Sequence, residues 1–178
     1  MEPTFGWRGV PSMAERTEAR LASLNDCDIE TAFWRFHRCC GSQRWANQMA
    51  KARPFSTVEA LEDCAGRIWA ACSREDRLEA FAAHPRIGEH GNSRWSQSEQ
   101  SGVVGVSANM QETLAHANRE YEAKFGYRYI ICATGKNAEE LLFSLKQRLQ
   151  NDPQTEIDIA AEQHHRITRL RLKKLLTE

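Results

Sequence analysis

Gly126-Tyr127-Arg128-Tyr129-Ile130-Ile131-Cys132-Ala133 is the stretch on which the fold class turns. Its aromatic and β-branched residues carry strand propensity, and a strand here would make the protein mixed α/β. A strand needs a partner, and no second run of the chain shows strand patterning. The segment is therefore expected to be a short extended or helical piece of core. On either side the sequence reads as helix. Asn137-x-x-Glu140 is a capping box, in which a short polar side chain accepts from an exposed amide and the acid three residues on reciprocates. Ser56-x-x-Glu59 and Ser73-x-x-Asp76 repeat the pattern, and Asp152-Pro153 puts proline at a first helical position. Expected helices span 12–24, 28–39, 42–52, 57–72, 74–83, 96–124, 137–150 and 153–176, with Pro54-Phe55 ending the third sharply. The expected architecture is all-α: a compact, irregular bundle of about eight helices forming one domain, 1–178, with residues 1–20 as a peripheral N-terminal extension.

The 178 residues suffice for one domain with a real core. Lys+Arg and Asp+Glu are both 24, so the formal net charge is zero and the totals carry no basic footprint of nucleic-acid binding. Only the stretch from Arg166 to Lys174 is locally basic. No apolar run reaches membrane-spanning length, and Met1 to Arg20 lacks the apolar core of a secretory signal. The closing Leu-Leu-Thr-Glu is no peroxisomal address. Six cysteines include no C-x-x-C pair, and the adjacent Cys39 and Cys40 suit a disulfide poorly. A reduced, cytoplasmic protein with small core cysteines is expected, with neither membrane nor nucleic acid as partner.

Residues 81–102 hold the most chemistry. Pro85 disfavours helical geometry at His84, so an apolar helix should stop there, with the imidazole at a helix C-terminus whose dipole favours the protonated ring. Such a histidine serves as a cap or a satisfied core residue, or exchanges protons near neutral pH. Ser96-x-x-Glu99 reads as a further capping box, which alone accounts for both residues. Gln100 beside them is not so explained. Together with helix N-terminal amides, these side chains would form a pocket for a polar ring rich in donors and acceptors.

The last helix adds a distant clue. At 3.6 residues per turn Ile157, Ala160, Ala161, His164, Arg171 and Leu175 share one stripe, which sets Arg171 in an apolar face while Arg166 and Arg169 point elsewhere. A buried arginine needs an anion. The partner is either an internal glutamate or the carboxylate of a substrate, which the planar fork fits in bidentate fashion. Metal and nucleophile readings are weaker. His84 and His90 stand apart in a loop without metal-ligand spacing, Glu112 and His116 at i, i+4 suit a surface ion pair, and no cysteine lies near His84 in the chain. There is no glycine-rich phosphate loop.

Arg53-Pro54-Phe55, Ala83-His84-Pro85-Arg86-Ile87-Gly88, Ser96-x-x-Glu99-Gln100, Tyr121-x-x-x-Phe125-Gly126-Tyr127 through Ile130-Ile131-Cys132-Ala133, Arg148-Leu149-x-Asn151-Asp152 and Arg166-Ile167-x-x-Leu170-Arg171-Leu172 occur in this order. In that combination, from about Leu24 onward, the chain resembles the 2-oxo-4-hydroxy-4-carboxy-5-ureidoimidazoline (OHCU) decarboxylases, which act in urate oxidation to (S)-allantoin. The resemblance implies an all-helical, cofactor-independent enzyme that binds no metal, forms homodimers and acts beside upstream urate-pathway enzymes, here in a bacterial cytoplasm. It places the catalytic histidine, glutamate and arginine at His84, Glu99 and Arg171. Substrate-lining positions fall at Pro85, Ser96, Gln100 and the backbone of Tyr129, Ile130, Ile131, Cys132 and Ala133. Arg128 stands where animal relatives have proline, and the loop from His84 to Ser96 is short. Two rival readings remain: a non-catalytic helical binding domain of this fold, and a decarboxylase for another small carboxylated ring.

Overall fold

Apolar faces from nearly every helix converge on one core, with Trp45, Tyr121, Tyr129, Phe36 and Phe81 its largest fully buried side chains. A computed structural model describes residues 11–89 and 94–178. Among the described residues there are nine α-helices and no strand: α1 Met13–Asp26, α2 Ile29–Cys40, α3 Gln43–Lys51, α4 Val58–Ala70, α5 Arg74–Ala82, α6 Arg94–Glu99, α7 Ala108–Phe125, α8 Ala138–Arg148 and α9 Pro153–Thr177. The all-α expectation holds. At 1.5 Å per residue α9 runs about 37 Å, and it packs along α1, α2 and α4 as the spine of the bundle. Of the expected N-terminal extension, residues 1–10 lie outside the described residues. Met13 already begins α1, which the buried Leu21 and Leu24 anchor.

Most helix starts follow the capping chemistry. Ser73 with Asp76 and Asn137 with Glu140 form reciprocal boxes, and the Asp152 carboxylate accepts from the amides of Gln154 and Thr155 ahead of Pro153. Ser12 with Glu15 forms one more, unexpected from the sequence. Two expectations need correction. Thr57 rather than Ser56 caps α4, its hydroxyl accepting from the Ala60 amide. The single helix expected over 96–124 is two. Gly105 at φ +75 and Ser107, which caps α7, interrupt it after a 3₁₀ turn over Ser101–Val103. Helix propensity on either side extends the pattern in sequence, but a glycine in the left-handed region ends the first piece. The interruption matters because α6 carries Ser96 and Glu99. Gly102 permits close packing behind α6, for a Cβ there would stand 1.9 Å from the Lys136 carbonyl oxygen.

The stretch 126–133 is neither strand nor helix. It crosses the core with Tyr127, Tyr129, Ile130, Ile131 and Ala133 buried, and two of its backbone groups find partners on side chains instead of a neighbouring strand. Arg148 Nη1 donates to Ile130 O at 2.6 Å, and the Cys132 amide donates to Gln163 Oε1 at 3.1 Å.

Candidate active site

His84 follows the C-terminal turn of α5, its amide donating to Phe81 O. Arg128 closes that turn from the far side of the core, its Nη1 donating to the carbonyls of Ala82 and His84. The loop that follows is tied down over Arg86, Ile87 and Gly88. Asn118 Nδ2 of α7 donates to Ile87 O at 2.9 Å, and Gln100 Nε2 to Arg86 O at 3.2 Å. Gln100 Oε1 accepts from the Gly88 amide at 2.9 Å, and Arg86 forks onto Glu122 at 2.7 and 2.9 Å. The His84 side chain therefore sits in a fixed frame.

His84 is buried, and its Nε2 has no hydrogen-bond partner among the described residues. Behind it lies His164, fully buried, meeting the His84 ring edge-on at 5.0 Å between centroids. Trp69 stacks on His164 at 4.5 Å, and the His164 Nε2 is 2.9 Å from Cys40 O, so that nitrogen carries the proton. The expected protonated imidazole at a helix end is overturned. Burial holds the His84 pKa well below its ordinary value, and the neighbouring His164, Arg171 and Arg128 push it the same way. His164 falls to about 3, chiefly through burial and then Arg171. Desolvation outweighs a helix dipole whose C-terminal carbonyls Arg128 already occupies.

A cavity opens beside His84, lined by Pro85, Ile87, Ser96, Glu99, Gln100 and, across from them, Tyr129, Ile130, Ile131 and Ala133. Residues up to 49 positions apart in the chain thus form its two walls, with Ile167 and Leu170 of α9 completing it. Of the sequence-selected residues, Cys132 alone among the wall positions does not reach the lining. Arg171 lies next door, on a wider groove that shares His84, Pro85 and Ser96. It forks onto Glu99, Nε to Oε1 at 2.9 Å and Nη2 to Oε2 at 2.7 Å, so the arginine and glutamate divide the two spaces. The anion that the helical stripe demanded is an internal glutamate, with the guanidinium Nη1 left without a hydrogen bond among the described residues. The Ser96–Glu99 capping box is likewise corrected. Helix α6 starts at Arg94, so Ser96 is inside its first turn, and Ser93 ahead of it lies outside the described residues, as does His90. Gln100 lines the cavity while both ends of its amide hold the loop backbone.

Other sequence expectations fall away from the site. His116 pairs with Glu120 at 3.4 Å, not with Glu112. The basic stretch is neutralised locally: Arg166 pairs with Glu162, and Arg169 and Lys173 with Glu62. All six cysteines are free thiols, with Cys39 and Cys40 buried. Among the described residues no helix is long and apolar enough to cross a membrane. Asn118, Glu122, Arg128 and His164 were not selected from the sequence as site residues. Asn118 carried the same signal as Arg171, a polar side chain in the buried stripe of Leu114, Ala117, Tyr121 and Phe125.

Residues 25–173 match the family model of OHCU decarboxylase. The uric acid degradation bifunctional protein TTL of Arabidopsis thaliana is 38% identical over 148 residues, 79% of this chain and 46% of that protein. The 2-oxo-4-hydroxy-4-carboxy-5-ureidoimidazoline decarboxylase of Haloferax volcanii is 27% identical over 164 residues, covering 90% of this chain and 96% of its own. The chain spans less than half the length of the bifunctional relatives it matches. A crystal structure of OHCU decarboxylase in the presence of (S)-allantoin superposes with a TM-score of 0.74 at 36% identity, over 85% of this chain and all of that one.

Proposed function

The chain belongs to the OHCU decarboxylase family, and from that premise we propose that it decarboxylates 2-oxo-4-hydroxy-4-carboxy-5-ureidoimidazoline to (S)-allantoin in the cavity beside His84. The observation that carries this reading is the His84 ring: buried, neutral, walled into a small cavity that also holds Ser96, Glu99 and Gln100, with an Nε2 that has no hydrogen-bond partner among the described residues. A neutral imidazole is a base, and a bare ring nitrogen in a cavity lacks only its ligand.

The chemistry fits that inventory. The C–CO2 bond breaks, and its electron pair flows into the adjoining ring C=N, whose nitrogen takes up a proton. The 4-hydroxyl then loses its proton as the carbonyl forms, and the ring carbon bearing the ureido group gains one. The substrate is thus its own electron sink, so no cofactor is called for. In this scheme His84 takes the hydroxyl proton, with its ring plane set by His164. Arg171 offers Nη1 to an anionic or carbonyl oxygen, and Glu99, oriented by that same arginine, accepts from ureido or ring N–H groups. Ser96 seats the ring between Pro85 and Ile131, while Gln100 serves by holding the Arg86–Gly88 backbone in shape. The reading includes one domain over 1–178, a homodimer, a cytoplasmic bacterial setting and substrate received from upstream urate-oxidising enzymes. Sedimentation of the purified chain tests the dimer.

The decisive experiment generates substrate fresh from urate with the upstream enzymes and follows optical rotation. The chain should give dextrorotatory product well ahead of the slow racemic decay, and H84N should lose that acceleration while keeping its circular dichroism. Near-normal turnover by H84N would remove His84 from the mechanism. A wild-type rate equal to the spontaneous one would favour the binding-domain reading.

A further inference from the structure

The cavity wall formed by 129–133 has an unusual construction. It is buried backbone with no sheet around it, and only some of its peptide groups are satisfied. Ile130 O accepts from Arg148 Nη1 at 2.6 Å, and the Cys132 amide donates to Gln163 Oε1 at 3.1 Å. Ile131, 7% exposed, makes no backbone hydrogen bond among the described residues through either its N–H or its C=O. In extended backbone the groups of one residue turn opposite to those of its two neighbours. Anchoring residues 130 and 132 toward α8 and α9 therefore turns the Ile131 peptide groups the other way, to the side where Ile131 lines the cavity.

The anchors are themselves held rigidly. Arg148 donates Nε and Nη2 to Glu156 Oε1 at 2.8 and 2.5 Å and lies 4.6 Å from the Tyr129 ring centroid. Asn151 Nδ2 and the Tyr121 hydroxyl donate to the same carboxylate, which is wholly buried. The Tyr129 hydroxyl donates to Ser144 Oγ of α8 at 3.0 Å. None of Arg148, Glu156, Asn151 or Gln163 lines the cavity.

We propose that Gln163 and Arg148 are positioning residues for ligand recognition, fixing the backbone on either side of Ile131 so that its free N–H and C=O present a donor–acceptor pair to the amide-like edge of the ring substrate. The inference rests on the decarboxylase reading for the ligand's identity, though not for the anchoring itself. Gln163 is the better probe because it is half-buried on α9 and its loss leaves the core intact.

The test compares wild type, Q163M and Q163E by amide hydrogen exchange, (S)-allantoin binding and steady-state turnover. Q163M, which keeps length but removes the acceptor, should speed exchange at the Cys132 amide, raise KM and the allantoin Kd by about two- to tenfold, and leave kcat within about twofold. Q163E retains an oxygen acceptor and should restore both constants. A role in stability alone would lower Tm and leave KM and Kd unmoved, and that result overturns the proposal. An unchanged Cys132 exchange rate in Q163M overturns it as well. If the wild type neither binds allantoin nor turns over, the decarboxylase reading fails, whereas the exchange measurement still decides whether Gln163 anchors the wall.

Discussion

Arg148–Glu156 and Arg171–Glu99 are both buried arginine–glutamate pairs, yet their carboxylates are occupied to different degrees. Glu156 is 0% exposed and receives the Arg148 guanidinium, the Tyr121 hydroxyl and the Asn151 amide together. Its oxygens are occupied by these donors, and the pair holds α7, α8, α9 and the wall segment to one another. Among the described residues Glu99 receives only the Arg171 fork, with Lys174 Nζ 4.0 Å away, and it lines the cavity. Burial of an ion pair says little about function by itself, since either kind costs desolvation. Unused hydrogen-bonding capacity facing a cavity is what distinguishes the second pair.

That distinction predicts opposite phenotypes. E156Q leaves the Arg148 charge buried without its counter-ion, which should cost about 3–5 kcal/mol of folding stability. Denaturant unfolding would read this; kcat per folded molecule should stay within about twofold of wild type, with any further loss appearing in KM through the Arg148 anchor. E99Q faces open space on one side and should keep most of its stability while turnover drops by about 10²–10³, as for loss of a group aimed at the reacting centre. Should E99Q prove the more destabilising and E156Q the more inactive per folded molecule, the contrast between the pairs collapses.

The two regions also differed in how far the sequence disclosed them. Arg171 stood out because helical phase put a charge in an apolar stripe, and that inference needs only one helix. Its partner lies 72 residues away on α6, and nothing local says which glutamate folds onto it. Glu99 had a sufficient local explanation as a capping residue, and the tertiary contact displaced it. The helices opened by Ser73, Asn137 and Asp152 were readable because capping is a short-range device. The break at Gly105 was not, since helix formers on both sides carry the pattern past it. Nor could the sequence reveal that side chains anchor the backbone of 126–133 at Ile130 and Cys132, because Arg148 and Gln163 meet it only once α8 and α9 pack. The protonation state of His84 failed for the same reason. A helix-end dipole is local, whereas burial against His164 belongs to the assembled core.

That last point gives the smallest and sharpest test of the contrast. His84 and His164 both have depressed folded-state pKa values, each through burial and with Arg171 adding to it. Above their unfolded value of about 6.5 both states are neutral and neither residue affects stability. As pH falls below that, the unfolded chain takes up protons that the native state refuses, so stability is lost progressively toward pH 3. Arg148 has no such dependants, so neutralising the two pairs should differ. The double variant R171M/E99Q removes the Arg171 field without stranding a charge, and its loss of stability between pH 5 and pH 3, where protonation of the native state sets the slope, should be shallower than in wild type. The matching R148M/E156Q variant should lose stability over the same range with the wild-type slope. Equal slopes in the two double variants, read from urea midpoints at each pH, would mean that burial alone silences the histidines and that Arg171 has no part in keeping the base free.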